Sequence, residues 1–124
     1  MLEHADLTGA IIGAAMVVHR ELGPGFLETA YENALVIELR AKDISFEQQL
    51  SVPVLYRGAE VAKHRLDLLV DRKIVVELKA LRHLETTHLA IVRSYLRATR
   101  QRHGLLLNFG NEDLEIRRVM TVVE

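Results

Sequence analysis

The strongest constraint on the fold is the stretch Arg65-Leu66-Asp67-Leu68-Leu69-Val70, Asp71-Arg72-Lys73, Ile74-Val75-Val76-Glu77-Leu78-Lys79. Two aliphatic, β-branched-rich runs flank three polar residues. That is the pattern of a β-hairpin, although no Asn-Gly or Asp-Gly sets the turn type. With Asp71, Arg72 and Lys73 as the loop, Val70 pairs with Ile74, Leu68 faces Val76 and Asp67 faces Glu77. Side chains alternate along a strand, so this register predicts one wholly apolar face, Leu66, Leu68, Val70, Ile74, Val76 and Leu78, which must be buried. The other face carries Arg65, Asp67, Leu69, Val75, Glu77 and Lys79. Two carboxylates stand opposite each other there, with a lysine two residues on. Like charges so placed cost roughly a few tenths to one kcal/mol, and a positive group is expected between them. A hard divalent cation, Mg²⁺ or Mn²⁺, would serve, because such ions take carboxylate oxygens, water and phosphate. Lys79 would then orient or activate an attacking water, or stabilise charge on a phosphate. The other solution needs no metal: Arg65 and Lys79 neutralise Asp67 and Glu77 on an exposed sheet face.

The rest of the chain narrows the setting. Its 124 residues, 49% hydrophobic and 27% charged, suffice for a single domain over residues 1–124 with a core that needs no staples. The lack of cysteine excludes a disulfide framework, a thiolate zinc site and a cysteine nucleophile. Sixteen basic against 17 acidic residues leave a net charge of −1, so any binding to nucleic acid has to come from a local patch. The apolar run at residues 10–18 is too short for a membrane span, and no basic segment precedes it as in a signal peptide. A cytoplasmic location without membrane contact is expected.

Leu7, Ile11, Ala14, Ala15 and Val18 recur at helical spacing and predict a helix over residues 6–22, capped by Asp6 or Thr8, with Ile12 and Met16 widening its apolar stripe. His19 near its end reads most simply as a partner of the helix dipole, with a site role as the alternative. Gly23-Pro24-Gly25 breaks the chain. A second helix is expected over residues 26–42, burying Leu27, Tyr31, Ala34, Leu35 and Ile37 or Leu39. Glu28 lies in its first turn, where the dipole favours an acid, and Tyr31 and Glu32 follow on the same side. Residues 44–56 alternate as a strand, and Pro53 makes it an edge strand or places a bulge there. Arg57-Gly58 turns this strand into the hairpin, giving a three-strand meander. Thr86 or Thr87 caps a third helix reaching about residue 101, with Leu89, Val92, Tyr95 and Leu96 toward the core. Arg93, Arg97 and Arg100 form a basic stripe, either a phosphate contact or a solvated face. Leu105-Leu106-Leu107 fits a strand buried on both faces, reached by a helical crossover and so parallel to the third strand. Residues 114–119 alternate as a last strand. The fold class is α/β, with a mixed sheet of four to five strands flanked by helices.

This order of elements, with D…ExK on the second and third strands, resembles the restriction-endonuclease-like core of the PD-(D/E)XK nuclease superfamily. Gly25-Phe26-Leu27-Glu28-Thr29-Ala30-Tyr31 looks like the signature of the GxxExxY protein family within it. Val18-His19-Arg20-Glu21-Leu22-Gly23-Pro24-Gly25, the Arg65 to Val70 strand, Val76-Glu77-Leu78-Lys79-Ala80, Ser94-Tyr95-Leu96-Arg97-Ala98-Thr99 and Gly104-Leu105-Leu106-Leu107-Asn108-Phe109-Gly110 are similar to that family in the same order. The resemblance implies a divalent-metal site (Mg²⁺ or Mn²⁺) of Asp67 and Glu77, with Glu28 reaching in from its helix and Lys79 as the catalytic lysine. The implied reaction is hydrolysis of phosphodiester bonds in nucleic acid, with DNA favoured over RNA. Arg93, Arg97 and Arg100 become candidate backbone contacts, and His19, Tyr31, His88 and Tyr95 candidate supporting residues. A homodimer would suit the cutting of two strands. In one respect the chain departs from the family, which usually carries a glutamine on the third helix one turn before the tyrosine. Ile91 stands there, and isoleucine can hold neither a water nor a phosphate oxygen. The alternative function is a non-catalytic domain of the same fold that binds nucleic acid or a protein partner, for example through a sheet edge near Pro53.

Overall fold

A computed structural model describes residues 4–122. Five strands form one sheet in the order β1-β2-β3-β4-β5: β1 (Phe46–Tyr56), β2 (Ala59–Val70), β3 (Ile74–Lys79), β4 (His103–Asn108) and β5 (Glu115–Met120). Helices α1 (Ala5–Leu22) and α2 (Glu28–Ala41) pack on one face, and α3 (Thr86–Thr99) on the other. The hairpin register holds, with Val70 paired to Ile74 and Leu68 to Val76. Its turn has Asp71 at φ 51 and Arg72 at φ 55, with the Lys73 N–H donating to the Val70 carbonyl at 2.9 Å. Two successive positive φ values are the mark of a type I′ turn, here made without glycine. Because α3 carries the chain back across the sheet, β4 lies parallel to β3, from Ile74 opposite His103 to Lys79 opposite Asn108. β5 returns antiparallel to β4. The fold is thus the mixed α/β sheet that the pattern of elements predicts.

The two faces have separate cores. Ile11, Ala14, Ala15 and Val18 of α1 and Tyr31, Leu35, Val36 and Leu39 of α2 meet Leu68, Val70, Ile74, Val76 and Leu78. Opposite them, Val92 and Leu96 of α3 meet Leu69, Val75, Leu106 and Val119. Leu66 also joins the α3 side, which corrects the face expected from strict alternation. The β1–β2 ladder is paired at Gln48 with Leu68 and again at Leu50 with Leu66, with no pair between. Gln49, the residue skipped, sits at φ 53. This left-handed residue turns both strands over: Gln48 reaches α2, while Leu50, two residues on, packs on the α3 side. Asp67 therefore lies where the sheet changes faces.

Other expectations are corrected at element ends. Neither Asp6 nor Thr8 caps α1; its N-cap is His4, and Thr8 is buried one turn inside. The stripe of α1 does not widen to Met16, which is 48% exposed. Leu27 is 81% exposed rather than buried, because it is the extended N-cap of α2 and precedes the helical periodicity. Ile37 is exposed too, and Val36 and Leu39 take the buried positions. Glu85, not Thr86 or Thr87, caps α3. Of the two readings of Pro53 the edge strand holds, since β1 is the outermost strand; Pro53 itself is regularly paired to Lys63, and the register shift falls beyond it, between Val54 and Leu55. Among the described residues no helix is long and apolar enough to cross a membrane.

Candidate active site

Beyond Leu68 and Val76 the β2–β3 ladder stops, and the next residues on each strand are Asp67 and Glu77. Backbone groups freed by parting strands need partners, and the two carboxylates supply them. Asp67 Oδ2 accepts the Leu78 N–H at 2.9 Å, and Glu77 Oε1 accepts the Asp67 N–H at 3.4 Å. The fork between the strands is thus laced by its own acids, which brings both to one point. Glu77 is only 5% exposed, so it does not lie on an exposed sheet face. Lys79, half-buried, follows two residues on.

Burial drives the Glu77 carboxyl up, and the negative charge of Asp67 drives it further, to about 8, against the opposing pull of the Asp67 N–H and of Lys79. Left without a counter-ion, Glu77 therefore holds its proton near neutral pH. Glu28, the first residue of α2, is exposed, yet its carboxyl is also raised. Partial burial raises it most, Lys79 opposes, and Asp67 and Glu32 add to the rise. Glu28 thus shares the field of Asp67 and Lys79. The Tyr95 phenol on α3 is pushed up to about 12 by burial and by the charges of Glu77 and Asp67. It stays a hydrogen-bond donor at neutral pH.

A second layer of polar contacts joins α2 to this point. Gln49 Nε2 donates to Asp67 Oδ1 at 3.3 Å and to Glu32 Oε1 at 2.8 Å. Gln48 Nε2 donates to Glu32 Oε2 at 2.6 Å and to Asn33 Oδ1 at 3.0 Å. Buried Glu32 is thereby satisfied by two amides, and the left-handed Gln49 bridges it to Asp67. Sequence reasoning places Glu32 beside Glu28 but gives Gln48 and Gln49 no part. The signal in the sequence is two successive amides near the start of a strand, where alternation would allow only one of them to face solvent.

The end of β3 is held from β4. The Phe109 N–H donates to the Lys79 carbonyl at 2.8 Å. Fully buried Asn108 then continues the ladder with its side chain, Oδ1 accepting the Leu81 N–H at 2.8 Å and Nδ2 donating to the Leu81 carbonyl at 2.9 Å. Gly110 permits this approach, since a Cβ there would come within 2.2 Å of the Leu81 carbonyl oxygen.

The remaining candidates have local partners. The Tyr31 hydroxyl donates to the Gly23 carbonyl at 2.6 Å and accepts the Phe26 N–H at 3.1 Å, while its ring stacks on Phe109 at 4.6 Å. It latches the Gly23-Pro24-Gly25 loop that leads to Glu28. His19 Nε2 bonds the Asn111 carbonyl at 2.7 Å, tying α1 to the turn after β4. His88 Nδ1 accepts the Glu85 N–H at 2.9 Å in a capping box that starts α3. Arg97 and Arg100 line one groove between α3 and β1, whereas Arg93 is half-buried and not among its lining residues.

The donor chemistry at the fork suits a hard divalent cation. Two carboxylates, one of them driven by burial and by its neighbour's charge to keep a proton, match the one or two that Mg²⁺ takes before water and phosphate complete its shell. Among the described residues no three His, Asp or Glu side chains converge as a metal cluster, so a third ligand such as Glu28 is not preassembled. The sequence matches the family described as the PD-(D/E)XK nuclease superfamily over residues 5–119. No curated protein and no solved structure matches the chain. A match over nearly the whole length, on a sheet whose parting strands carry Asp67, Glu77 and Lys79, means that the chain belongs to the PD-(D/E)XK nuclease superfamily.

Proposed function

We propose that the protein is a metal-dependent nuclease of one domain, resembling GxxExxY proteins, that hydrolyses phosphodiester bonds in nucleic acid, DNA in the first instance. The observation that carries this reading is Glu77, buried beside Asp67 at the fork of β2 and β3 with Lys79 two residues further. Mg²⁺ or Mn²⁺ held by Asp67 and Glu77, with Glu28 closing on it, would supply Lewis-acid stabilisation of a phosphate oxygen. Lys79 orients the attacking water and offsets charge that builds on the phosphate. Tyr95, kept protonated, donates a hydrogen bond toward the same oxygens. Gln49 and Glu32 hold the Asp67 carboxylate in place.

The test is calorimetric titration of Mn²⁺ into wild type and Glu77→Ala, followed by cleavage assays on DNA and RNA. Binding and metal-dependent cleavage are both expected to vanish in Glu77→Ala, while its melting stays cooperative. Cleavage that survives in that variant would sink the reading. A second reading, a non-catalytic domain of the same fold, is favoured by Ile91. It is 40% exposed on the helix where the resembling family usually offers a glutamine. Nucleic-acid binding that is indifferent to EDTA, with no cleavage in any divalent metal, would support it.

A further inference from the structure

Between the outer part of the β1–β2 hairpin and α3 runs a mostly apolar groove of about 520 Å³. Val52, Val54 and Leu55 of β1 line one side, Arg97 and Arg100 the other, and His64 of β2 lies within it. His64 Nε2 is 3.2 Å from Ser94 Oγ, and the Ser94 hydroxyl donates to the Ile91 carbonyl at 2.6 Å. The serine proton is committed to the backbone, so the pair is no nucleophile and base; His64 is held as a fixed ring in the groove. Its ring meets Tyr95 edge to face at 4.6 Å. Along β2, His64 precedes Asp67 by three residues, about 10 Å of extended chain. The groove therefore leads toward the fork that holds the acids.

We infer that this groove takes a single strand of nucleic acid, its bases against the apolar β1 wall and His64 and its phosphates on Arg97 and Arg100, and feeds it to the fork. Mixed lining decides the class of ligand. A duplex turns its base faces inward and offers phosphates and base edges, so the apolar wall beneath the arginines would meet nothing. A single strand exposes base faces that stack on rings and apolar side chains while its backbone follows cations. Size agrees: a groove of this volume is in the range that holds drug-sized ligands, enough for a base or two and far too small for a duplex. Leu55, Tyr56 and Val61 at the end of the hairpin are 61–63% exposed, extending the apolar surface outward. The direction in which the strand runs rests on the nuclease reading; its binding does not.

The experiment is fluorescence anisotropy with a labelled oligodeoxythymidylate of about 16 nucleotides and a blunt duplex of equal length, both in EDTA. The strand is expected to bind about tenfold tighter than the duplex or better. Leu55→Asp and Arg97→Glu alter exposed side chains, so both variants should melt like wild type. Each should weaken strand binding by about five- to a hundredfold, and Arg97→Glu should also flatten the salt dependence by about one ion. Equal or tighter binding of the duplex, wild-type strand affinity in both variants, or no nucleic-acid binding would overturn the inference. A parallel cleavage assay in Mn²⁺ separates the two readings. Strand binding lost in the variants, with no cleavage by any form, upholds the groove and removes the nuclease. Duplex cleavage untouched by both variants does the reverse.

Discussion

Strand β2 passes through two environments. At Leu68, Leu69 and Val70 it is buried under helices on both faces, with β3 alongside, and Leu66, just past the end of that pairing, is still buried on the α3 side. From Ala59 to Arg65 it pairs with β1 alone and is exposed except at His64, which α3 half covers. The strand is continuous, and its pairing with β1 is interrupted twice, opposite Gln49 and at the register shift between Val54 and Leu55. What differs is what lies above and below. The inner half contributes hydrophobic stabilisation, whereas the outer half is free to carry contacts of another kind. Asp67 stands at the boundary, where the faces exchange and β3 diverges, so the candidate site combines a rigid support with access from solvent.

The largest expected contrast between the halves is in packing. Leu106 is fully buried in β4, and Leu55 is 62% exposed on β1. Leu106→Ala should cost about 2–5 kcal/mol, and Leu55→Ala less than about 0.5 kcal/mol, read from urea midpoints at unchanged m-value. Equal losses would mean that the outer hairpin is as firmly covered as the inner sheet. Glycine offers a second, smaller contrast. At Gly110 a new Cβ meets Leu81 backbone at 2.2 Å, and at Gly58 it meets nothing within 4 Å. Gly110→Ala should lose about 1–3 kcal/mol or more. Gly58→Ala, strained only by its φ of +82, should lose about 1–2 kcal/mol. Thermal melts that rank the two the other way would remove the clamp on β3.

The last contrast concerns the boundary itself and depends on pH. Glu77 titrates near 8 in the folded chain, against an ordinary 4.5. The folded state then keeps a proton that the unfolded state releases earlier. The stability this gives is complete below 4.5 and is lost as pH rises through about 8. Without metal, wild type should therefore weaken across that window. Glu77→Gln should lack this slope and be the more stable form at pH 8 by about 1 kcal/mol or more. Mn²⁺, by replacing the proton, should restore wild type and leave the variant unmoved. A wild type whose melting temperature is level from pH 5 to pH 8 would contradict the buried, protonated Glu77.

Much of this is legible in local pattern. Hairpin register follows from counting outward from Asp71, Arg72 and Lys73, and that count alone brings Asp67 opposite Glu77. Pro53, which cannot donate to a neighbour, narrows β1 to an edge strand or a bulged one, and the sheet order decides for the edge. Alternation misplaces Leu66 because it assumes an unbroken strand, and nothing in Gln48-Gln49-Leu50 announces a left-handed residue. Periodicity misplaces Leu27 because its spacing to Tyr31 fits a helix that in fact starts one residue later. His88 fits a supporting place at the site by resemblance, yet its ring closes the cap of its own helix.

Periodicity and strand register are properties of the backbone a few residues at a time, and the sequence by itself determined them: the elements, their order, the opposed acids and the lysine beside them. Only the tertiary structure decided which acids are buried, which helix covers which face, and which distant partners meet. Gln49 reaches Glu32 across 17 residues and Asn108 reaches Leu81 across 27. Such contacts depend on how two layers of helix settle on a twisted sheet. Their energy comes from the removal of groups from water, which no local pattern records.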